Sequence, residues 1–259
     1  MIKDAIGLLD MGMESFPLLP FLSKTFKHER FIYINDLLNQ PYEGKTKELI
    51  IGFVQKNVAR LQKEPLKLLI VGSDIIWEYA QDFLKTLTIP VINIVDLLIE
   101  HINLNYEQKN MVLLAKNSVL EANLYQKNIK YNRLYSIPSD ELEAIVLNKK
   151  TKTTKSFYTA KETLLPALKK EVDIIITSTP LLMLVKTEIE EYLRLAETTN
   201  LLTILEDKIK ASEVNFNLKG RGRIDVLGYV SKKQFANYFI GQPFSFKYFD
   251  LTKESEKTK

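Results

Sequence analysis

The chain has 259 residues and 46% of them are hydrophobic, which is enough for one large or two small packed domains and too many for a disordered chain. Its 36 basic and 32 acidic residues give a formal charge of +4, and only six of the basic residues are arginine, so the charge does not favour nucleic-acid binding. The sequence has no cysteine, and its two histidines, His28 and His101, lie far apart, which excludes disulfides and thiol nucleophiles and predicts neither a metal nor a cofactor.

Strands alternate with helices along the first part of the chain. The clearest case is the apolar run Leu66–Val71, which predicts a buried parallel strand. Gly72-Ser73-Asp74 breaks this run, and a helix is predicted at 75–87 with Ser73 or Asp74 as its N-cap. The other predicted elements are strands at 4–9, 29–34 and 89–95 and helices at 13–26, 45–64 and 96–104, with Pro17 and Pro20 delaying or kinking the first helix.

The same alternation restarts near residue 110. A strand predicted at 172–176 ends in a second small polar turn, Thr177-Ser178-Thr179, and Ser139 is a plausible cap for a helix at 139–149. The other predicted elements are strands at 110–115, 131–137, 201–205, 223–229 and 244–251 and helices at 118–129, 159–170, 182–197, 206–214 and 232–240. The pattern predicts an α/β fold of two similar lobes with mainly parallel sheets, in which the two polar turns face each other across a cleft between the lobes.

Six landmarks occur in a fixed order along the chain. They are Asp10-Met11-Gly12, the segment 35–46, Val71-Gly72-Ser73-Asp74, the segment 89–92, the segment 177–182 and the segment 232–241. In this order they resemble the motifs of the glutamate racemases, in the aspartate/glutamate racemase superfamily. The family counterparts are Asp-Ser-Gly, a Gly-Asp-Thr to Pro-Tyr-Gly-x-Lys-Ser segment, Ala-Cys-Asn-Thr, Ile-Pro-Val-Ile, Gly-Cys-Thr-His-Tyr-Pro-Leu-Leu and a closing helix.

The resemblance implies both a domain organisation and a chemistry. The first lobe would comprise 1–97 with 215–251, the second lobe 98–214, and residues 252–259 would form a charged flexible tail. In the glutamate racemases, a thiolate from one lobe removes the α-proton of the amino acid while a thiol from the other lobe protonates the opposite face. Two cysteines are therefore required.

This chain departs from the family at both cysteine positions. Gly72, or Ser73 if the alignment slips by one residue, stands at the first, and Ser178 stands at the second. The histidine that follows the second cysteine is missing. Three further substitutions thin out the substrate-holding residues, namely Met11 for a serine, Glu43 for a glycine and Asp74 for a threonine. A serine hydroxyl is far less acidic than a thiol and needs a neighbouring base, so we expect no catalytic thiol chemistry.

Asp10, Asp74 and Tyr42 have two interpretations each. The resemblance implies that Asp10 binds an amino group, although the residue also suits a turn or a cap. Asp74 could act as a substitute base with Ser178, or it could simply cap a helix. Tyr42 and Thr179 fall where the family contacts its ligand, and Tyr42 equally suits a packed turn. Trp77 is expected to lie in the core.

Two functional hypotheses follow. The first is a catalytically inactive protein that uses the racemase fold as a structural or protein-binding subunit of a larger assembly. The second is an active enzyme of altered, racemase- or isomerase-like chemistry on a small carboxylic or amino acid. The candidate partner surface is the aromatic end with Phe244, Phe246 and Tyr248, together with the loops 149–155 and 215–223, and the aromatic residues equally suit ordinary packing.

The compartment is expected to be the cytoplasm. No apolar run approaches the ~18 residues of a membrane span, and the start of the chain has no signal-peptide pattern. Abundant lysine, asparagine and isoleucine point to an AT-rich bacterial genome. Protein partners are expected and nucleic acid is not, and the sequence leaves open whether the chain forms a homodimer.

Overall fold

The structure is a computed structural model, and it describes residues 4–42, 44–238 and 244–252. The chain divides into two compact units, the first formed by 1–93 with 206–259 and the second by 94–205. The boundaries expected from the sequence, after residues 97 and 214, lie four and nine residues further along the chain than those after residues 93 and 205. Glu43, the closing positions 240–241 of the helix motif and the tail from 253 onwards lie outside the described residues.

The first unit contains a six-stranded sheet in which every described strand pair is parallel. Its strand order is β10-β9-β2-β1-β3-β4. The strands are β1 (Ala5–Leu9), β2 (Arg30–Asn35), β3 (Leu66–Val71), β4 (Val91–Asn93), β9 (Arg223–Gly228) and β10 (Lys247–Asp250).

The helices of this unit begin where their sequence signals place them. Pro17 precedes α1 (Leu18–Thr25), so the helix predicted from residue 13 is delayed by this proline. Thr46 caps α2 (Lys47–Leu61) by accepting a hydrogen bond from the Leu49 amide. The other helices of the unit are α3 (Asp74–Leu84) and α10 (Lys232–Tyr238).

The second unit contains a four-stranded parallel sheet in the order β6-β5-β7-β8. Its strands are β5 (Asn110–Ala115), β6 (Arg133–Pro138), β7 (Ile174–Thr177) and β8 (Glu197–Thr198). Its helices are α4 (Ile94–Asn105), α5 (Asn117–Glu121), α6 (Asp140–Leu147), α7 (Thr154–Leu164), a 3₁₀ helix (Pro180–Val185) and α8 (Lys186–Tyr192), and α9 (Leu201–Lys210) links the two units. The α/β class with two parallel sheets is therefore confirmed.

Several predicted elements were wrong. The segment 201–205 is the start of helix α9 and not a strand, because Leu201, Leu205 and Ile209 are buried at helical spacing. The predicted helix at 182–197 is a 3₁₀ helix followed by α8, and its last residue is in β8. The predicted helix at 118–129 ends at Glu121, shortly before Asn123, whose φ is 55°.

Parallel strands place the segments that follow them at one edge of each sheet. In the first unit, the segments 10–16, 35–42 and 72–74 follow β1, β2 and β3, and the backbone amide of Asp36 donates to the Met11 carbonyl across 3.1 Å. In the second unit, the segments after β5, β6 and β7 meet in the same way. Open α/β folds bind ligands at this carboxyl edge, so the candidate site residues lie there. Among the described residues, no helix is long and apolar enough to cross a membrane.

Candidate functional site

Asp10 lies directly after β1 and is fully buried. Its Oδ2 accepts hydrogen bonds from the Ser15 amide and the Ser15 hydroxyl, both at 2.8 Å, and its Oδ1 accepts one from the Gly12 amide at 3.2 Å. The Tyr33 hydroxyl oxygen is 2.7 Å from Asp10 Oδ2 and 2.7 Å from the Gly12 carbonyl oxygen. The chain's own donors therefore surround the carboxylate that the resemblance assigns to an amino group.

Burial and, to a smaller extent, the nearby Glu14 carboxylate raise the pKa of Asp10 to about 6, against the lowering effect of hydrogen bonds from Ser15 and Tyr33. Glu14 is also buried. Burial and the Asp10 charge together raise the pKa of the Tyr33 hydroxyl well above its ordinary value, so this hydroxyl keeps its proton as a donor. Because Asp10 and Glu14 are both buried here, this turn is unfavourable for a further negative charge, such as that of a bound carboxylate.

Tyr42 belongs to a second self-contained cluster, after β2. Its hydroxyl donates to Asp36 Oδ2 at 2.7 Å, and the Asn39 side-chain amide donates to Asp36 Oδ1 at 2.8 Å. The Tyr42 ring packs at 5.9 Å from the Phe53 ring. Burial raises the pKa of Asp36 despite these hydrogen bonds. These contacts agree with the interpretation of Tyr42 as a packed residue of the turn.

The turn after β3 is closed over by another part of the same unit. A Cβ placed on Gly72 would lie 2.3 Å from Ser15 Cβ and 2.5 Å from Ser15 Oγ. Atoms that are not bonded to each other do not approach this closely, so Ser15 occupies the space that a side chain at position 72 would need. Ser15, which holds Asp10, therefore also fills the space beside Gly72, one of the two residues expected at the first cysteine position.

Ser73 and Asp74 start helix α3. Ser73 is its N-cap, and the Ser73 hydroxyl oxygen accepts from the Ile76 amide at 3.5 Å. Asp74 is the first helical residue and is fully buried, and its Oδ1 accepts from the Ile75 amide at 2.9 Å. An acid in the first turn is stabilised by the positive end of the helix dipole. Trp77, one turn on, is buried in the core as expected.

In the second unit, a buried glutamate organises the carboxyl edge. Glu143 Oε1 on α6 accepts from the Ser139 hydroxyl and from the Thr179 hydroxyl, each at 3.2 Å. Lys116, after β5, places its Nζ 3.9 Å from Glu143 Oε2. Ser178 is fully buried, and its amide donates to the Leu114 carbonyl at 3.0 Å. Ser139 thus occupies the N-cap position of α6, as the sequence predicted, but its hydroxyl donates to Glu143 and makes no capping hydrogen bond.

The aromatic end of the chain packs on the first unit. The Phe16 ring centroid is 5.3 Å from that of Phe244 and 6.2 Å from that of Phe246. The Tyr248 hydroxyl donates to the Val230 carbonyl at 2.6 Å. Phe244, Phe246 and Tyr248 are half-buried, so they suit the packing interpretation, and their use by a partner stays a prediction.

No protein-family model matches the chain. A glutamate racemase from Lactobacillus acidophilus is 26% identical over 221 residues, which is 83% of this chain and 81% of that protein. One from a Hydrogenobaculum species is 20% identical over 255 residues, covering 95% and 96% of the two chains. The chain is therefore similar to glutamate racemases over most of its length.

Solved structures of glutamate racemases share the fold of this chain. A glutamate racemase from Thermus thermophilus aligns with a TM-score of 0.83 at 18% identity, over 97% of this chain and 98% of that one. A glutamate racemase from Bacillus anthracis aligns with a TM-score of 0.79 at 19% identity, over 96% and 98%. The family resemblance and the fold class drawn from the sequence are thereby confirmed, whereas the site assignments stay predictions.

Sequence reasoning missed residues that line the carboxyl edges of the two sheets. Ser15, Glu14 and Tyr33 surround Asp10, and no motif marks them. The sequence does mark Glu143, because it is an acid among the buried apolar residues of α6. A carboxylate at such a position must find donors, and a serine four residues before it is one obvious candidate. Among the described residues, no group of three or more acidic or histidine side chains could hold a metal ion.

Proposed function

We propose that this chain does not racemise glutamate or aspartate. It serves instead as a structural or protein-binding subunit of a larger assembly. The observation that carries the proposal is that its 259 residues contain no cysteine. Inversion by the racemase chemistry needs an acid and a base on opposite faces of the α-carbon. Neither Gly72 nor Ser178 can supply a thiolate.

The first unit supports the proposal at the turn where the substrate would bind. Ser15 fills the space beside Gly72, so the turn has no room for a reactive side chain unless Ser15 moves. Both oxygens of Asp10 accept hydrogen bonds from within the chain. A substrate carboxylate brought here would meet the buried carboxyl groups of Asp10 and Glu14, and like charges in a dry site repel strongly.

The second unit supports the proposal through its buried glutamate. Thr179 is fully buried and its hydroxyl donates a hydrogen bond to Glu143, so it acts as a packing and hydrogen-bonding residue within the unit. Ser178 has the hydroxyl that stands at the second cysteine position. A serine needs a general base to lose its proton near neutral pH, and a reactive serine usually lies within hydrogen-bond reach of a histidine or lysine.

A racemisation assay tests the catalytic half of the proposal. The purified chain is incubated with L-glutamate and, separately, with L-aspartate, and the products are resolved by chiral chromatography. A cysteine-containing glutamate racemase assayed in parallel is the positive control. We expect no D-isomer above the no-protein blank, and steady accumulation of D-glutamate would contradict the proposal.

The binding half is tested in the source cells. The chain is tagged at its own locus, cross-linked and purified, and the linked peptides are identified by mass spectrometry. We expect reproducible links between one partner and a restricted surface of the chain. A chain that sediments as a free monomer at its native concentration, without links, would return weight to an altered enzyme that uses Asp74 and Ser178.

A further inference from the structure

Strand β6 lies at one edge of its sheet, so one side of its backbone has no neighbouring strand. The other edge strands of the two sheets are β4, β8 and β10. They have three, two and four residues, and β10 carries charges at both ends. β6 has six residues and no charge between Arg133 and Pro138. Because shortness, charge and proline protect exposed sheet edges, β6 has the longest unprotected edge among the described strands.

The hydrogen bonds of β6 show which of its backbone groups point away from the sheet. The Ser139 amide, directly after β6, donates to the Ala115 carbonyl of β5 at 2.8 Å. Alternate residues of a strand direct their N–H and C=O groups to the same side, so the odd-numbered residues of β6 face β5. Leu134 and Ser136 therefore direct theirs outward, where no other described segment forms a backbone hydrogen bond with them. Pro138, the next outward residue, has no N–H.

This outward side of β6 is accessible to solvent. Arg133, Ser136 and Pro138 are exposed. Leu134 and Tyr135 are half-buried, whereas every residue of β1 is buried. The unpaired N–H and C=O groups of such an edge can bond water, and they can equally bond one more strand. The free side of β6 is therefore a candidate site for the addition of a strand.

A second copy of β6 in the antiparallel direction matches this side. With Tyr135 opposite Tyr135 of the second copy, Leu134 would lie opposite Ser136 of that copy, and Ser136 opposite its Leu134. Residues paired in this way exchange both N–H···O=C bonds, so each outward amide meets an outward carbonyl. Pro138 would lie opposite Asn132 of the second copy, whose amide already donates within its own chain, and the ladder ends there. The facing Tyr135 rings would form an aromatic cross-strand pair, which stabilises antiparallel strands.

The charges at the two ends of β6 also favour an antiparallel second copy. Arg133 at its start is exposed and makes no ion pair within the described part of the chain, whereas Lys130 already pairs with Glu107. Asp140 and Glu141 follow its end, and Asp140 keeps its charge because its hydrogen-bond donor is a neutral backbone amide. Antiparallel pairing brings the start of each strand to the end of the other, so these opposite charges approach. A parallel copy would instead place Arg133 beside Arg133 of the second copy.

We propose that the chain forms a two-fold homodimer in which the β6 strands of two copies pair antiparallel about Tyr135 and join their four-stranded sheets into one. This dimer goes beyond the proposed function and does not depend on it. Two-fold contacts use the same surface on both copies, which is what a self-complementary strand provides. A strand from another protein would use the same backbone groups, but the match of register and charge given above belongs to β6 itself.

A single introduced thiol reports this pairing, because the chain has no cysteine of its own. The facing Cα atoms of a non-hydrogen-bonded antiparallel pair are about 4.5 Å apart, within the span of a disulfide. Tyr135→Cys should therefore form a disulfide-linked dimer under mild oxidation, seen on a non-reducing gel. Tyr158→Cys is the matched control, because Tyr158 is exposed on α7 of the same unit, and it should stay monomeric. Equal cross-linking of the two variants, or none at position 135, would overturn the proposal.

Sedimentation velocity of the full chain from 1 to 100 µM measures the association itself. We expect a monomer–dimer equilibrium that Ser136→Pro weakens at least tenfold, because the proline removes an outward N–H from each copy. Ser136→Ala keeps this N–H and should dimerise within twofold of the unmodified chain. Circular dichroism identifies a proline variant that fails to fold. A monomer at every concentration, or a dimer that a folded proline variant leaves unchanged, would overturn the proposal.

Two charge variants test the axis without changing the backbone. Tyr135→Lys alone and Tyr135→Glu alone each place like charges opposite each other across the two-fold axis, so each should dimerise at least tenfold more weakly than the unmodified chain. An equimolar mixture of the two variants should restore a heterodimer, because the introduced charges are then opposite in sign. A mixture that associates no better than either variant alone would contradict the axis at this residue and overturn the proposal.

Hydrogen exchange measured by mass spectrometry separates a second copy from a strand of another protein. In the purified chain alone, peptides that cover β6 should exchange more slowly at 100 µM than at 1 µM, and peptides that cover β10 should not change. Protection of β6 that appears only after a cell extract is added would assign this edge to another protein and overturn the proposal. The racemisation assay is independent of these measurements, so the two proposals fail separately.

Discussion

The contact between Ser15 and Gly72 predicts that Gly72→Ala destabilises the first unit. The new Cβ would lie 2.3 Å from Ser15 Cβ, whereas ordinary contacts begin at 3.4 Å, so the two chain segments must separate by about 1.1 Å, the difference between these distances. Ser15 cannot yield freely, because its amide and its hydroxyl both donate to the buried Asp10 carboxylate. Overpacking costs about 1–3 kcal/mol, and weakening hydrogen bonds to a buried charged group adds a similar amount. We expect a loss of about 3 kcal/mol.

Guanidinium unfolding followed by tryptophan fluorescence measures this loss in the appropriate unit. Trp77 is the only tryptophan in the sequence, and it is buried in α3 directly after the turn, so its emission reports the first unit. Gly52→Ala is the matched control, because Gly52 is exposed in α2 and a Cβ there meets no atom within 4 Å. The control should gain about 0.5–1 kcal/mol from its better helix propensity.

A double-mutant cycle then assigns the effect to Ser15. Ser15→Gly removes the clashing Cβ and Oγ, so adding Gly72→Ala to it should cost much less than adding Gly72→Ala to the unmodified chain. The coupling free energy should exceed about 1.5 kcal/mol, above the few tenths expected of independent sites. A Gly72→Ala variant as stable as the unmodified chain, or a cycle without coupling, would refute this account of the turn.

Three further predictions follow from the two edges. Gly72→Cys combined with Ser178→Cys should show no D-glutamate by chiral chromatography, because a side chain at position 72 displaces Ser15; measurable turnover would show that the pocket is intact. Asp10→Asn should flatten the pH dependence of stability: burial raises the pKa of Asp10 from 3.8 to about 6, so its stabilising contribution is full below pH 3.8 and is lost as the pH rises through 6. Between pH 4 and pH 7 the unmodified chain should lose about 2–2.5 kcal/mol more stability than the variant, and equal losses in the two chains would contradict it. Glu143→Ala should leave the Ser139 and Thr179 hydroxyls without their acceptor and lower the stability of the second unit by about 2–4 kcal/mol, measured by hydrogen exchange, with Trp77 unfolding unchanged as the internal control.

The strand–turn–helix around Gly72 could be predicted from the sequence because its signals agree. A continuous apolar run, three small or polar residues and a helical apolar pattern give the bounds of β3 and the cap of α3. The segment 201–205 failed for the opposite reason, since a short run of leucine, threonine and isoleucine fits a buried strand as well as a helix. Its helical spacing becomes visible only when Ile209 is included.

The candidate site was less accessible to sequence reasoning than the fold. The motifs located Asp10, Gly72, Ser178 and Thr179 at strand ends, because such positions follow from the alternation of strands and helices. They could not show that Ser15 fills the space beside Gly72, because that depends on the path of the loop after β1 in three dimensions. The contact decides whether the turn can hold a reactive group.

The central claim, that the chain carries out no proton transfer at an amino-acid α-carbon, is tested most directly by isotope exchange. The purified chain is incubated with L-glutamate and with D-glutamate in D₂O, and the α-proton signal is followed by NMR. Exchange detects removal of the proton from either face, so it reveals a single working base even when no inversion follows. The account predicts that the α-proton signal persists at the level of the no-protein control with both enantiomers. Loss of that signal with either enantiomer would contradict the account and identify the chain as an enzyme.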